Sequence, residues 1–397
     1  MVDDFSFLLQ SLAWPLVLLI AWWLGEQLHT GWKIPRVTSY VAVGLLASAV
    51  DLRGLTGDVR GLSFLANFAL ALVLFELGYR INLRWFRNNP WVPITGVLES
   101  LLIFGGAWFV TGWFGLSTEV RLIVCALCMA ASPAGIVRVA NELRSAGQVT
   151  ERVMHLCAIN CLMTVVVLKL VVGYWHLSTS GDWTAATLGS VYALIFSVAV
   201  GGALGLLMPW LLRGRSSQGG SVTVLFALVV LLLTTASYGL KLSPLLAALT
   251  FGLVARERRV QLTSAQRDFG SMGEITGLFL FVYVASLVNW RDAWSSLGLA
   301  VALLVVRLAV TAACNAGLAY FSGVTMRKGL LTGLALTPMS AYAILLLEQS
   351  RRYGLEPAAA AFTALAGLVL ILELLGPLVT QRSLMAARET HVTQQDA

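Results

Sequence analysis

Residues 119–141 read EVRLIVCALCMAASPAGIVRVAN, an apolar run that is interrupted by Ser132 and Pro133. A proline removes one backbone donor and clashes with the preceding helical turn, so the pattern predicts a helix break at this point. The next apolar run, residues 152–172, carries Asn160 in its interior. Broken helices beside polar side chains at mid-membrane are typical of the ion sites of secondary transporters, because their freed backbone groups must face protein or water. We interpret the two runs as half of a transport site.

The composition requires a bilayer as the solvent of this chain. Of its 397 residues, 58% are hydrophobic and only 12% are charged, and the mean hydropathy is +0.81. Apolar runs of about 18–25 residues recur along the whole length, and each is long enough to cross the hydrocarbon core. Outside these runs we find no nucleophile motif, phosphate-binding loop or metal-ligand cluster. We therefore predict a membrane protein that is not an enzyme and that needs no metal or cofactor.

The hydrophobic pattern predicts an all-α fold with about 13 transmembrane segments. We expect a transmembrane domain over residues 1–381 and a short cytoplasmic tail over residues 382–397. Lysine and arginine are concentrated in the loops of one side, which identifies that side as cytoplasmic. This bias, rather than nucleic-acid binding, explains the net charge of +7, and it predicts an inner-membrane protein with its N-terminus outside. The predicted segments are about 5–25, 34–50, 62–81, 92–113, 119–141, 152–176, 184–212, 221–239, 242–255, 269–289, 294–321, 328–348 and 358–380.

A second interruption repeats the pattern of the first. It falls in the twelfth segment, where residues 336–340 read LTPMS and Pro338 breaks the apolar run. If the seventh segment is a linker, the remaining segments form two six-helix halves that are inverted relative to each other. The breaks then occupy the fifth position of each half, where discontinuous helices five and twelve are expected to cross. Two ordinary proline kinks are the alternative interpretation.

Six short stretches along the chain form a further set of motifs. They are IPR at 34–36, LFELG at 74–78, ASPA at 131–134, LSPLLAA at 242–248, FGS at 269–271 and GLALTP at 333–338. Together they resemble the signatures of the cation:proton antiporter superfamily, the sodium/proton and potassium/proton exchangers. The resemblance covers nearly the whole chain.

The resemblance implies a fold and a mechanism. Members exchange a monovalent cation for a proton, and the family implies a homodimer with a dimerisation domain and a mobile core domain. Here the core helices would fall at about 62–176 and 269–348, and they would move in an elevator-like manner. The family also implies an Asn-Asp or Asp-Asp pair in segment six as the carrier of cation and proton.

This chain departs from the family at that pair, which is Asn160-Cys161 here. A thiol is a poor substitute for a carboxylate, because it is a weaker acid and a soft ligand for hard alkali ions. Another intramembrane acid must then carry the proton, and the candidates are Glu76, Glu99, Glu274 and Glu373. We favour Glu76, which matches an acidic position of the third-segment signature. The alternative is that Glu76 only pairs with Arg80, four residues later on the same helix.

Neutral oxygens near the two breaks could complete a cation site. Beside the prolines Pro133 and Pro338, the chain places the side chains of Ser132, Asn160, Thr337 and Ser340. With unwound backbone carbonyls they could coordinate a partly dehydrated cation. The alternative is hydrogen bonding between helices, which is common for such residues in membranes.

Two basic residues and one histidine lie inside or at the edge of the apolar runs. Arg307 is deep in segment eleven and needs a partner, because an unpaired charge costs about 2.5–3.5 kcal/mol at that depth. It would offset the negative ends of the half-helices or pair with a carboxylate. Lys169 either extends to the outer interface or supplies a fixed charge near the site. His155 is a candidate proton relay or an ordinary interface residue.

Three functions are compatible with these residues. The first is a monovalent cation:proton antiporter with an altered site, embedded in membrane lipid. The second is a transporter on the same fold that is not proton-coupled or that carries an organic anion, since Lys169 and Arg307 are positive. The third is a membrane sensor or partner protein that no longer transports.

Overall fold

The structure, a computed structural model, describes residues 2–50, 59–180, 183–213, 220–260, 262, 269–352 and 355–390. We number the helices of this described part in chain order. They are α1 Val2–Trp32, α2 Arg36–Ala49, α3 Val59–Arg80, α4 Leu83–Asn88, α5 Trp91–Trp113, α6 Thr118–Cys128, α7 Pro133–Glu142, α8 Gln148–Ser180, α9 Trp183–Leu211, α10 Gly220–Gly239, α11 Pro244–Glu257, α12 Gly270–Ser286, α13 Trp290–Ser295, α14 Leu297–Gly317, α15 Met326–Ala335, α16 Ser340–Arg352 and α17 Ala358–Ala386.

The helices have the length and surface of a membrane protein. Within the described residues, eight helical stretches are long and apolar enough to cross a membrane, and α2 and α12 are shorter apolar helices. Large apolar side chains point outward, such as Phe109 at 79% exposure and Trp113 at 92% on α5. A soluble monomer rarely exposes apolar patches of this extent, so these surfaces face lipid. The predicted all-α membrane fold is confirmed.

The first predicted break lies between α6 and α7. Helix α6 ends at Cys128, and α7 begins at Pro133, the first helical position, where a missing backbone N–H costs nothing. Ser132 caps the new helix, since its Oγ accepts a hydrogen bond from the backbone N–H of Gly135 at 3.4 Å. The sequence thus both ends one helix and starts the next within four residues.

The second predicted break lies between α15 and α16, and the two breaks touch. The backbone N–H of Ser132 donates to the carbonyl of Pro338 at 2.6 Å. A Cβ added to Gly135 would lie 3.3 Å from the Pro338 side chain, and one added to Gly376 on α17 would lie 2.9 Å from its Cα. Glycine at both positions therefore permits the close approach of the two breaks. The prediction that helices five and twelve are discontinuous and meet is confirmed.

Helices α3, α9 and α11 pack closely through glycine. A Cβ at Gly252 on α11 would lie 2.1 Å from the carbonyl oxygen of Phe75, and one at Gly78 on α3 would lie 2.2 Å from that of Leu249. Helix α9 meets α11 in the same way at Gly201. Small residues let membrane helices approach until their backbones touch, which maximises van der Waals contact. These helices form a compact block, on which α12 also packs, and α2 packs on α12.

The two breaks are surrounded by α5, α8, α14 and α17, which contact the half-helices directly. This arrangement positions the interior of α5, α8 and α14 around the crossing. The count of 13 segments, the inverted repeats and the domain ranges stay predictions. Of the predicted tail, α17 continues to Ala386, and residues 391–397 lie outside the described residues.

Adjacent glycines on α9 test the packing of the block. We expect Gly201→Ala to lower the free energy of unfolding by about 1–3 kcal/mol, because its methyl group would lie 2.1 Å from the carbonyl oxygen of Ala247. Gly202→Ala is the matched control, since its Cβ would meet no atom within 4 Å and alanine favours a helix by about 1 kcal/mol. Thermal unfolding of the purified variants measures the difference. Equal midpoints for the two variants would contradict the close contact of α9 and α11.

Candidate ion-binding site

Arg307 connects the two helix breaks. It lies halfway along α14, and its side chain is buried. One Nη donates to the carbonyl of Cys128, the last residue of α6, and the other donates to the carbonyl of Leu336, just after α15, at 3.2 Å. The last carbonyls of a helix lack intrahelical partners and carry partial negative charge. A single guanidinium thus satisfies the C-terminal ends of both half-helices.

A fully buried carboxylate lies beside the segment-six asparagine. Glu99 on α5 has a relative exposure of 0%, and its Oε1 accepts a hydrogen bond from Asn160 Nδ2 at 3.2 Å. The Oδ1 of Asn160 accepts in turn from the hydroxyl of Ser100 at 3.1 Å. Consecutive residues of α5 therefore hold both ends of the Asn160 amide. This fixes α5 against α8 at the depth of the helix breaks.

A third helix holds the second oxygen of Glu99. Asn315 on α14 donates from Nδ2 to Glu99 Oε2 at 2.7 Å and also to the carbonyl of Thr311 at 2.9 Å. Arg307 lies two turns earlier on the same helix and interacts electrostatically with the carboxylate. A buried carboxylate needs hydrogen-bond donors or an opposite charge. Glu99 has two amide donors and a nearby guanidinium.

Cys161 fastens α8 to both breaks. Its thiol donates to the carbonyl of Ala131 in the first break at 3.3 Å, and its own carbonyl accepts from the hydroxyl of Tyr342, just after the second break, at 2.9 Å. The neighbouring Asn160 is thereby placed next to the crossing. The crossing thus brings together one carboxylate, one guanidinium, two amides and backbone carbonyls that have no partner within their helix. These are the groups from which transporters build cation sites.

A comparison with known proteins identifies the family of this chain. The sequence model described as "Sodium/hydrogen exchanger, transmembrane" matches residues 16–386. The chain belongs to the sodium/hydrogen exchanger family. The predicted superfamily is thus confirmed over nearly the whole length.

Solved structures and one curated relative extend the comparison. Two structures of the sodium proton antiporter MjNhaP1 from Methanocaldococcus jannaschii have TM-scores of 0.68 and 0.70 to this chain. The first is 14% identical and covers 96% of both chains, and the second is 15% identical and covers 94% of both, so they support the fold. A protein named iron transporter MagA, from Paramagnetospirillum magneticum, is 24% identical over 377 residues, which cover 91% of this chain and 83% of that protein.

Glu76, which we favoured from the exchanger signature, lies in a separate polar cluster. Its Oε1 accepts from Arg80 at 2.7 Å and from Asn141 Nδ2 at 2.9 Å. Asn141 is in the last turn of α7. The cluster therefore joins α3 to the end of α7 that the loop charges predict to be cytoplasmic. The pairing with Arg80 is the alternative that the i,i+4 spacing left open. A role of Glu76 in ion binding in this exchanger stays a prediction.

The predicted neutral oxygens at the breaks have different partners. Ser132 caps α7, and the hydroxyl of Thr337 donates to the carbonyl of Leu334, so both side chains are buried and hydrogen-bonded. Ser340 is the first residue of α16, and its side chain lies outside the described residues. Ion coordination by these three residues of the exchanger fold stays a prediction.

Lys169 lies away from the crossing. It is nine residues beyond Asn160 on α8, about 13 Å farther along the helix axis at 1.5 Å per residue. Its main-chain carbonyl accepts from the hydroxyl of Ser190 on α9 at 2.9 Å. Because of this separation along α8, charge compensation by Lys169 at the crossing stays a prediction.

The two other candidate acids differ in exposure. Glu373 is buried on α17, whereas Glu274 is exposed near the start of α12.

His155 anchors a short helix rather than facing the Asn160 amide. Its Nε2 accepts from the backbone N–H of Asn82 at 3.2 Å, so its Nδ1 carries the proton and donates to the carbonyl of Glu151 at 2.7 Å. The rings of Trp85 and Phe86 on α4 enclose the imidazole, with centroids 4.5 Å and 4.9 Å away. The predicted relay role has no support from these contacts, which are those of an interface residue.

The cluster around Glu99 was not predicted from the sequence, in which Glu99 is only one of four candidate acids. A signal for it exists in the spacing of polar residues within apolar helices. Arg307, Thr311 and Asn315 recur every four residues along α14, which places them on one face. On α5, Thr95 and Glu99 have the same spacing. Two polar stripes on otherwise apolar helices indicate that these faces meet.

Arg307 offers a test of the connection between the breaks. We expect Arg307→Ala to lower the free energy of unfolding by about 3 kcal/mol or more, because two charge-assisted hydrogen bonds at about 1.5–3 kcal/mol each are lost. Arg307→Lys, which keeps the charge but can reach fewer acceptors, should lose less. Thermal unfolding of the purified exchanger measures the effect.

The matched control for that test is Arg121→Ala. The Arg121 guanidinium also donates to a carbonyl, that of Trp108 at 2.9 Å, but it lies over an indole ring near the start of α6. If Arg307→Ala is as stable as the wild type, or if both alanine variants lose the same free energy of unfolding, Arg307 has no special role in joining the two breaks.

Proposed function

We propose that this member of the exchanger family is a secondary active transporter that exchanges a monovalent cation for a proton, with Glu99 as the carboxylate that binds both. The observation that carries the proposal is the hydrogen bond from Asn160 Nδ2 to Glu99 Oε1 at 3.2 Å. Asn160 is the first residue of the family's carrier pair, and the second residue is Cys161 instead of an acid. A carboxylate from α5 thus contacts the remaining member of the pair.

Three features of Glu99 support this role. Its side chain is completely buried, and it lies within the membrane interior, nine residues into α5. Both of its oxygens are oriented by amide donors from other helices, Asn160 and Asn315. A carrier acid must be shielded from bulk water and held in place, while a cation and a proton compete for the same oxygens. Glu99 meets both requirements.

The proposed cycle uses groups that already surround the crossing. With Glu99 ionised, a cation binds the carboxylate and neighbouring carbonyl or hydroxyl oxygens, including those of Ser132 and Thr337. Protonation of one Glu99 oxygen removes the negative charge and releases the cation. The amides of Asn160 and Asn315 turn or lengthen their hydrogen bonds to leave one oxygen free. Movement of the broken helices with α5 and α8 would then expose the loaded site to the other side, as the family resemblance implies.

A second candidate is iron transport, which the relative named iron transporter MagA suggests at 24% identity. Within the described residues, no group of three or more His, Cys, Asp or Glu side chains is placed to hold a metal ion. The site proposed above offers one carboxylate and hard oxygen donors, which suit alkali ions better than iron. We therefore rank monovalent cations first and include ferrous iron among the ions to be assayed.

The remaining parts of the proposal come from the family and from the loop charges. We infer a homodimer in the inner membrane, with the N-terminus outside and the C-terminus cytoplasmic. The mass of the purified protein in detergent, corrected for bound detergent, tests the dimer. Accessibility of single cysteines introduced near each terminus tests the orientation.

Three variants test Glu99 as the carrier. In proteoliposomes with an imposed pH gradient, we expect Glu99→Gln to reduce cation-dependent proton flux to the level of protein-free liposomes, because the amide cannot ionise. Cys161→Ala should keep most of the flux, since the thiol only fastens α8 to the first break. Glu76→Gln is the matched control, a buried acid with comparable hydrogen bonds outside the crossing, and it should keep a measurable flux.

The outcomes of this assay separate the candidates. Full flux in Glu99→Gln together with loss in Glu76→Gln would return the carrier role to Glu76. Flux of an anion or a cation that leaves the pH gradient intact would favour the transporter without proton coupling. No flux of sodium, potassium, lithium or ferrous iron in folded wild-type protein would favour a sensor or partner protein. Normal elution and thermal midpoints establish that each variant is folded.

A second experiment moves the acid along the proposed site. We expect Cys161→Asp to restore part of the flux that Glu99→Gln removes, because position 161 adjoins Asn160 and both breaks. The double variant is compared with Glu99→Gln alone in the same liposomes. Recovery that also appears with Cys161→Asn would show that charge is not the cause.

A further inference from the structure

A large cavity lies apart from the crossing, between α7 and the helices α1, α2 and α12. Its volume is about 810 Å³, and residues from all four helices line it. A water molecule occupies about 30 Å³ of liquid, so the space exceeds what a hydrated monovalent ion requires. It lies instead near the upper end of the roughly 300–1,000 Å³ that small-molecule sites occupy. The cavity therefore has room for an organic ligand.

The two ends of this cavity differ in polarity. Glu26, Arg36, Arg138, Glu142 and Glu274 line the end that the loop charges predict to be cytoplasmic. Farther along the same helices the lining is apolar and includes Pro15, Leu18 and Phe281. From Glu26 to Pro15 the helix rises about 16 Å at 1.5 Å per residue. One leaflet contributes about half of a 30 Å hydrocarbon core. The gradient of polarity therefore matches one leaflet in depth.

The cavity wall is open toward the bilayer. Leu19 and Trp22 on α1 are 60% and 52% exposed, and Ile275 on α12 is 66% exposed. These side chains line the cavity and also belong to the apolar surface that faces lipid. A ligand with an acyl chain can therefore enter sideways from the membrane. A ligand that arrives only from water has no need of such an opening.

The charged end favours a headgroup that carries both signs. Arg36 is already paired with Glu26, whose carboxylate lies 2.8 Å from its Nε. Arg138 makes no salt bridge or hydrogen bond with another described residue, but it interacts electrostatically with Glu142, and its guanidinium lies against Gly277. Glu142 and Glu274 are the remaining carboxylates that line the cavity, and Glu142 Oε2 also accepts the backbone N–H of Arg36 at 3.4 Å. One cation and two anions suit a phosphate joined to an ammonium group, whereas a purely anionic headgroup would be repelled.

We propose that this cavity binds a phospholipid with a phosphoethanolamine headgroup. Its phosphate accepts hydrogen bonds from Arg138, and its ammonium group, with three donors, lies between Glu142 and Glu274. Its acyl chains extend along Leu18 and Phe281 and leave the cavity past Ile275. The quaternary ammonium of a choline headgroup cannot donate hydrogen bonds, so it satisfies the two carboxylates less well. The binding site is independent of the transport function proposed above.

The position of this site gives the lipid a mechanical role. Arg138 and Glu142 belong to α7, the half-helix that follows the first break. The other walls belong to α1, α2 and α12, which pack on one another. A lipid held by both groups bridges the broken helix and its surroundings. Its binding therefore stabilises this relative position of α7 and the other three helices.

Native mass spectrometry of the purified full-length protein tests the proposal. The protein is incubated with an equimolar mixture of phosphatidylethanolamine, phosphatidylcholine and phosphatidylglycerol that have the same acyl chains. We expect phosphatidylethanolamine adducts to predominate. Arg138→Gln should reduce them about tenfold or more, because a charge-assisted hydrogen bond of about 1.5 kcal/mol is lost. The matched control is Arg144→Gln, an exposed arginine in the loop after α7, which should retain wild-type binding.

Two further variants keep the test decisive if Arg138→Gln is poorly folded. Gly277→Ala keeps the charge but displaces the guanidinium, since its Cβ would lie 2.8 Å from Arg138 Nε, so it should also weaken phosphatidylethanolamine binding. Leu18→Trp fills the apolar part and should reduce all three lipids alike. Equal adducts of the three lipids in wild type, or a preference for phosphatidylglycerol, overturn the proposal. If phosphatidylethanolamine binds but no ion flux is measurable, the result contradicts the transport function and not the lipid site.

Discussion

The guanidinium of Arg307 is the interaction on which the rest of this structure depends. Two helices end in the protein interior at Cys128 and near Leu336, where their last carbonyls have no partner within the helix. A broken helix in lipid is stable only if protein groups replace the missing hydrogen bonds. Arg307 does so for both helices at once, and the N–H of Ser132 joins the breaks directly. Without this pairing, each break would cost several kcal/mol of unsatisfied backbone.

The pairing of the breaks places the polar groups of three further helices. Arg307 fixes the rotation of α14, so Asn315 faces the same side two turns later and donates to Glu99. Cys161 contacts the first break, and the adjacent Asn160 on the same helix donates to the other Glu99 oxygen. The carboxylate is thus held by helices whose positions are set by the crossing. This is how an acid on α5 comes to lie beside a motif position on α8.

The sequence alone predicts the fold but not the contacts of the site, and the reason is physical. Pro133 and Pro338 act on their own helices, so the breaks follow from local chemistry, and hydropathy follows from composition. The contact of Glu99 with Asn160 joins residues 61 positions apart and depends on how two apolar helices rotate against each other. Glu76 matches a position of the family signature, but its contact with Arg80 is the local one that the i,i+4 spacing indicates. Polar stripes on α5 and α14 carry the missing information, but only when the two helices are considered together.

A charge count at the crossing limits which ions the proposed site can carry. Each half-helix C-terminus carries roughly −0.5 of an elementary charge, and the N-termini of α7 and α16, which begin at the same crossing, carry roughly +0.5 each. The four helix ends therefore cancel, and the formal charges that remain at the proposed site are those of Arg307 and Glu99, both of which are buried. One proton neutralises Glu99, and one monovalent cation balances its charge, so the two loaded states of the proposed site have the same net charge. A divalent ion would add one more positive charge in the same low-dielectric surroundings, where an uncompensated charge is costly. For the carrier that we propose, this equality of charge favours a monovalent over a divalent cation.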